Sequence, residues 1–169
     1  FCFLVKKLAN VGCSVVVVEQ KSDTSGLVEQ ITLNLDNVNH LLLDCQSTTF
    51  NKSKLLNYAA KNSFTPFLWF VDGDFYTNFK QVLSELNETC DFIVPFSEVT
   101  FLDQGETVEL HSTGQIRLTH SSEYKTNNQP GKFSFVVRSS KFSICGGFNE
   151  GFEGWGFQDL DFVENRLDS

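Results

Sequence analysis

Apolar residues in this chain fall into short unbroken runs separated by stretches of helical spacing. Over residues 1–11, Phe3, Leu4, Lys7 and Leu8 recur at that spacing, which predicts a helix ended by Gly12. Residues 14–19 contain Val15-Val16-Val17-Val18 with no polar alternation, the pattern of a parallel strand buried on both faces. A polar turn follows at 21–26, and Leu41-Leu42-Leu43 predicts a second short strand. Residues 51–61 place Leu55, Leu56 and Ala59 on one side of a helix, and residues 67–71 form a third strand, apolar throughout. A helix over 79–86, short strands over 92–95 and 133–138, a helix or turn over 139–144 and a last helix from Phe157 or Asp159 to Leu167 complete the pattern.

Helix and strand alternate from the start, and the strands are almost continuously apolar. This predicts an α/β fold, a sheet with helices on both faces, in one domain over residues 1–169. Ligands of such sheets sit at the carboxyl ends of the strands, where Asp72 and Asp74 follow the third one. Residues 97–132 differ. They are polar, carry Gly105, Gly114, Asn127, Asn128 and Pro130, and predict a hairpin-like insertion or mobile loop.

Composition narrows the function classes. The 18 phenylalanines supply large buried surfaces for sheet cores and aromatic clefts. A formal charge of −8 argues against nonspecific nucleic-acid binding, which needs a basic surface. No apolar run approaches the about 20 residues needed to cross a bilayer. The absence of methionine, even at position 1, points to a piece of a longer or processed chain, with other domains or anchors beyond it. Cys2, Cys13, Cys45, Cys90 and Cys145 fit no zinc spacing; free, mostly buried thiols are expected, with one disulfide left open. Few cysteines and no visible targeting segment favour the cytoplasm over a secretory lumen, where the sequons at Asn51 and Asn87 would have meaning.

Two segments carry chemistry. Asp72-Gly73-Asp74 sets two carboxylates at a strand end, with a glycine between them that lets the backbone turn and a phosphate approach. Hard oxygen ligands of this kind suit Mn²⁺ or Mg²⁺ on a diphosphate; the same triplet also suits a surface turn capped by aspartate. In Gly154-Trp155-Gly156-Phe157-Gln158-Asp159-Leu160-Asp161, glycines flank an indole whose face can pack on a sugar ring. Asp159 beside that platform could take the proton of an attacking hydroxyl, or could simply cap a helix whose first turn holds Asp161.

The two segments occur in an order that resembles a known family. Phe50-Asn51-Lys52-Ser53 with Leu56-Asn57 resembles its Phe-Asn-Arg-Ala-hydrophobic-Asn helix. Gly146-Gly147-Phe148-Asn149-Glu150 and Gly154-Trp155-Gly156 with Asp159 resemble its Gly-Gly-Phe-Asp-Glu and Gly-Trp-Gly-Gly-Glu-Asp region. Val18-Glu19-Gln20 resembles the end of its nucleotide-binding second strand. The family is the GT-A glycosyltransferases of the β-1,4-galactosyltransferase, polypeptide N-acetylgalactosaminyltransferase and chondroitin-polymerase type. The resemblance covers most of the chain except 97–132. It implies a GT-A three-layer sandwich truncated at one or both ends, a UDP-sugar donor, a glycan or other hydroxyl acceptor, and inversion at the anomeric carbon. It further implies Mn²⁺ or Mg²⁺ at Asp72 and Asp74, donor contacts from Glu19 and Gly73, Asp159 as catalytic base, and a sugar pocket shaped by Gly147, Trp155, Gly156 and Gln158. Polysaccharide biosynthesis is the process this would serve.

Departures from the pattern keep a second class open. Phe157-Gln158-Asp159 stands where the family has Gly-Glu-Asp, so a charge is lost and an aromatic ring narrows the pocket. His40, His111 and His120 all precede the region where a family histidine completes the metal shell. A glycosyltransferase-like domain kept for carbohydrate binding or assembly is the alternative to an active enzyme. An unrelated nucleotide-binding domain has no Gly-rich phosphate loop to support it.

Overall fold

The computed structural model describes residues 1–21, 27–32, 35–44, 49–115, 122–124, 134–154 and 156–167. Trp155, His120, Cys45 and the turn read at 22–26 lie outside them. The elements are α1 (Cys2–Asn10), β1 (Val15–Gln20), α2 (Leu27–Thr32), β2 (Val38–Leu43), α3 (Lys52–Lys61), β3 (Phe67–Val71), α4 (Phe79–Glu85), β4 (Phe92–Ile93), β5 (Val99–Phe101), α5 (Gln104–Thr113), β6 (Ser122–Tyr124), β7 (Ser134–Arg138), α6 (Ser139–Ile144) and α7 (Gln158–Asp161). A π-helical turn, Phe162–Arg166, continues α7. The fold is mixed α/β with small sheets. No helix among the described residues is long and apolar enough to cross a membrane.

Two compact units divide the chain: residues 1–95 with 130–169, and residues 96–129. In the first, β1 and β2 pair in parallel, Val15 opposite Val38 through Gln20 opposite Leu43. A separate sheet has the order β3–β7–β4, with β7 antiparallel to both neighbours. The alternation over residues 1–95 thus yields a parallel pair as expected, but β3 finds its partner in a strand 67 residues later in sequence, Phe67 pairing with Arg138 near the start of α6. The valines of β1 are only half-buried along the whole strand, not covered on both faces as their apolar run predicts.

Side chains alternate across β3 and feed two apolar layers. Leu68 and Phe70 enter one core with Phe135, Val137, Phe142, Phe148, Phe162 and Val163. Trp69 and Val71 pack on the opposite face against Leu4, Leu8 and Phe79 from α1 and α4. The first core explains the phenylalanine content. Phe70 meets Phe148 edge-on at 4.9 Å, and Phe135 stacks on Phe162 at 5.5 Å, both geometries favoured by the ring quadrupole. Phe148 belongs to the Gly-Gly-Phe segment and Phe162 follows Asp159, so this core seats both ends of the C-terminal motif beneath β3.

Arg138 is structural. Its guanidinium bonds the Asp91 carboxylate and donates to the carbonyls of Asn87, Glu88 and Cys90, 4.7 Å over the Phe67 ring. Cys2, Cys13, Cys90 and Cys145 are free thiols and only half-buried; burial pushes the Cys13 thiol up.

The second unit contains the antiparallel pair β5–β6 and α5. No helical periodicity marks residues 97–132, yet Gln104–Thr113 is helical. Its termini are specified instead by chemistry: Asp103 and Glu106 form a reciprocal capping box, and Gly114 ends the helix in the left-handed region.

Candidate functional site

β3 delivers Asp72 to its carboxyl end, and the chain turns at once. The Phe75 N–H donates to the Asp72 carbonyl, so Asp72, Gly73, Asp74 and Phe75 form a tight turn with Gly73 and Asp74 exposed. Gly73 is outside the set of glycines with positive φ, and an added Cβ would meet only ordinary contact with the Phe1 ring at 3.6 Å. The turn itself therefore does not require glycine, contrary to the backbone role expected for it; what Gly73 keeps open is the outer face of the turn.

α3 supplies the cation. Asn51 caps the helix by accepting from the Lys54 N–H at 2.9 Å, which fixes Lys52 in the first turn. The Lys52 ammonium donates to Asp72 Oδ1 at 2.6 Å and to Asp159 Oδ2 at 3.2 Å. Residues 20 and 107 positions from Lys52 are thus joined through one ammonium group. A cavity of about 20 Å³, room for a single water, lies beside these three groups.

The C-terminal loop is stitched to the same helix. Asn57, buried on α3, accepts from the Phe148 N–H and donates to the Phe148 carbonyl and to Glu150 Oε1. Asn51 donates to the Glu150 carbonyl, and the Gly154 N–H donates to the Phe50 carbonyl. Asn51 is 3% exposed and used on both sides of its amide, so the folded chain offers no glycan acceptor at that sequon. Gly147 has φ +70°, and a Cβ there would lie 2.6 Å from Asn57 Oδ1; this glycine is required by both backbone and space.

Asp159 arrives on α7. Gln158 is buried beside it and donates to Asp159 Oδ2 at 3.3 Å. Phe157 adopts φ 67°, a region that disfavours a bulky side chain, and its ring is 74% exposed. The ring therefore points to solvent and does not wall in the buried amide of Gln158. Asp161 turns away to Arg166, with Nε donating to Oδ2 at 3.0 Å, and Arg166 also reaches the Gly147 carbonyl.

Charge in this group is held by pairing against burial. Burial raises the Asp159 pKa above the usual carboxylate value; Lys52 pulls it down and Asp72 pushes it up again. For Lys52, burial favours the neutral amine, but Asp159 and Asp72 outweigh it and keep the ammonium charged beyond its ordinary range. The two shifts pull in opposite senses for one ion pair. The short contacts decide in favour of an ionised pair, Lys52 as the ammonium and Asp159 as the carboxylate.

Asp72, Gly147, Gln158 and Asp159 are therefore tied into one assembly, directly or through α3. Asp74 stands on the exposed side of the turn, and Gly156 is half-buried in the loop before α7. Glu19, at the end of β1, engages His40 on β2 at 3.1 Å. Lys52 is the charged group of this assembly that pattern alone passes over. Its signal was its place after a helix-capping asparagine, where the resembling family pattern has an arginine.

Among the described residues no three His, Cys, Asp or Glu side chains form a metal cage. Asp72 and Asp74 are a two-carboxylate set of hard donors. Hard donors of this type suit Mg²⁺ or Mn²⁺, which are commonly held by one or two carboxylates with substrate phosphates and water completing the shell; in this structure Asp72 Oδ1 accepts from Lys52 and Asp74 is exposed on the turn. The chain matches no family model, no curated protein and no solved structure.

Proposed function

We propose that this chain is a GT-A-type domain that transfers a sugar from a UDP-sugar to a glycan or other hydroxyl acceptor. The observation that carries the reading is the Lys52 ammonium bridging Asp72, at a strand end, and Asp159, beside the Gly-Trp-Gly loop. A strand-end carboxylate for the diphosphate side is thereby brought to a carboxylate with raised pKa for the acceptor side.

In this reading the acceptor hydroxyl gives its proton to Asp159 as its oxygen bonds to the anomeric carbon, while the bond from that carbon to the phosphate oxygen breaks and UDP leaves. Attack opposite the leaving group inverts the centre. Asp72 and Asp74 would hold Mn²⁺ or Mg²⁺, which would supply charge neutralisation for the diphosphate. Lys52 keeps Asp159 ionised and oriented. The buried Gln158 amide fixes the same carboxylate oxygen.

Titrating UDP into the protein with Mn²⁺ and then with chelator tests the donor site. Micromolar binding seen only with metal is expected, and Asp74→Ala should abolish the metal-dependent part. Unchanged binding by that variant would remove Asp74 from the site. Gln158 in place of an acidic residue favours the second reading, a domain retained for carbohydrate binding; glycan binding without UDP binding under either condition would establish it.

The pH dependence carries a sign. With Asp159 required in its ionised form, activity should fall on the acid side at a pH above the ordinary carboxylate value of about 4. Lys52 lowers the Asp159 pKa, so Lys52→Met should move that limb to higher pH. A limb that stays in place while activity drops would show that Lys52 acts elsewhere in the reaction.

A further inference from the structure

Asp72 faces two demands. In the proposed donor site it holds Mn²⁺ or Mg²⁺ together with Asp74, yet its Oδ1 accepts from the Lys52 ammonium at 2.6 Å, the shorter of that group's two carboxylate contacts. Both demands fall on one negative charge. A dication on Asp72 would set two cations against a single carboxylate. Little water is present to screen them, since the side chains of Lys52, Asp72 and Asp159 are 19%, 31% and 15% exposed.

Space does not separate the two cations. The cavity beside the three groups, lined also by Phe70, Val71, Ser134 and Phe135, measures about 20 Å³ and takes one water, whereas Mg²⁺ held by one or two carboxylates keeps several. What lies open to a hydrated ion is the exposed face of the turn at Gly73 and Asp74. An ion there shares the Asp72 carboxylate with the ammonium. Lys52 has a second partner on which to fall back. Asp159 accepts from it at 3.2 Å and is outside the proposed metal ligands. Giving up Asp72 therefore does not strand a buried charge.

We propose that Lys52 is a built-in competitor of the divalent ion at Asp72: the ammonium gives up Asp72 when a dication binds there, stays on Asp159, and weakens metal binding by the same factor by which metal loosens its own hold. The inference rests on the reading of Asp72 and Asp74 as metal ligands, and adds to it a group that sets the metal concentration at which the site loads.

Mn²⁺ titrated into the protein without nucleotide, with free Mn²⁺ read from its electron paramagnetic resonance signal, tests it. Lys52→Met should bind Mn²⁺ about tenfold more tightly than the unsubstituted protein. Lys52→Gln removes the charge but keeps a donor for the carboxylates; it should tighten binding likewise and serves if Lys52→Met does not fold. Lys54→Met is the control for net charge. It removes the same charge two positions along α3, where side chains do not share a face, and should leave the affinity nearly unchanged. Thermal unfolding gives a second readout: at one Mn²⁺ concentration the melting temperature should rise more for Lys52→Met than for the unsubstituted protein. Adding Asp74→Ala to Lys52→Met should remove the gain. Equal or weaker Mn²⁺ binding by the Lys52 variants would overturn the inference and leave the metal reading standing. Tightening of the same size in Lys54→Met would overturn it in favour of net charge. Absence of Mn²⁺ binding in every protein would remove the metal site, and the competition with it.

Discussion

Asp159→Asn is expected to leave metal-dependent UDP binding intact and to lower turnover about 10²–10⁴-fold, the range for loss of a general base. The substitution keeps the size of the side chain and one acceptor oxygen for the two donors it now serves, Lys52 at 3.2 Å and Gln158 at 3.3 Å. Lys52 retains its shorter bond to Asp72 at 2.6 Å, so the ammonium is not left without a counter-ion. Burial already works against charge on Asp159, so its neutralisation should not unfold the protein. Steady-state kcat with UDP affinity measured separately makes the distinction: a variant with undiminished turnover places the base elsewhere.

Gly147→Ala should be strongly destabilising. Its φ of +70° disfavours any L side chain by about 1–2 kcal/mol. The added Cβ would meet Asn57 Oδ1 at 2.6 Å and the Phe142 ring at 3.3 Å. Moving Asn57 breaks its bonds to Phe148 and Glu150, and a buried amide left unsatisfied costs about 1–3 kcal/mol. The total is about 2–5 kcal/mol in urea unfolding. Gly146 provides the control: φ is +75°, but no atom lies within 4 Å of its Cβ position. Gly146→Ala should show the backbone contribution alone. Equal losses for the two variants would mean that Asn57 does not hold the loop.

Local chemistry made much of the fold legible. α1, α3 and α4 follow from apolar spacing, and β1 and β3 from unbroken apolar runs, because each element must bury one stripe or face. α5 escaped that logic. Its polar surface carries no amphipathic stripe, and only the Asp103–Glu106 box and Gly114 declare its ends. The pairing of β3 with β7 was equally hidden, since strand partners are chosen by sheet geometry and not by anything local to either run. At the site, the carboxylates of Asp72 and Asp159 were visible as motif members, whereas their union through Lys52 was not. A lysine after a helix cap looks the same in sequence whether it faces solvent or two acids.

The sequence by itself determined α1, α3, α4, the apolar strands β1 and β3, the carboxylates at a strand end and the glycines of the C-terminal loop, because these depend on contacts among near neighbours and on backbone sterics. Tertiary structure alone decided that Asn57 clamps the loop at Gly147, that Lys52 joins Asp72 to Asp159, and that Asp159 is buried enough to hold its proton more tightly. Each of these depends on how far a group is removed from water and on what lies across from it, and packing between distant segments sets both.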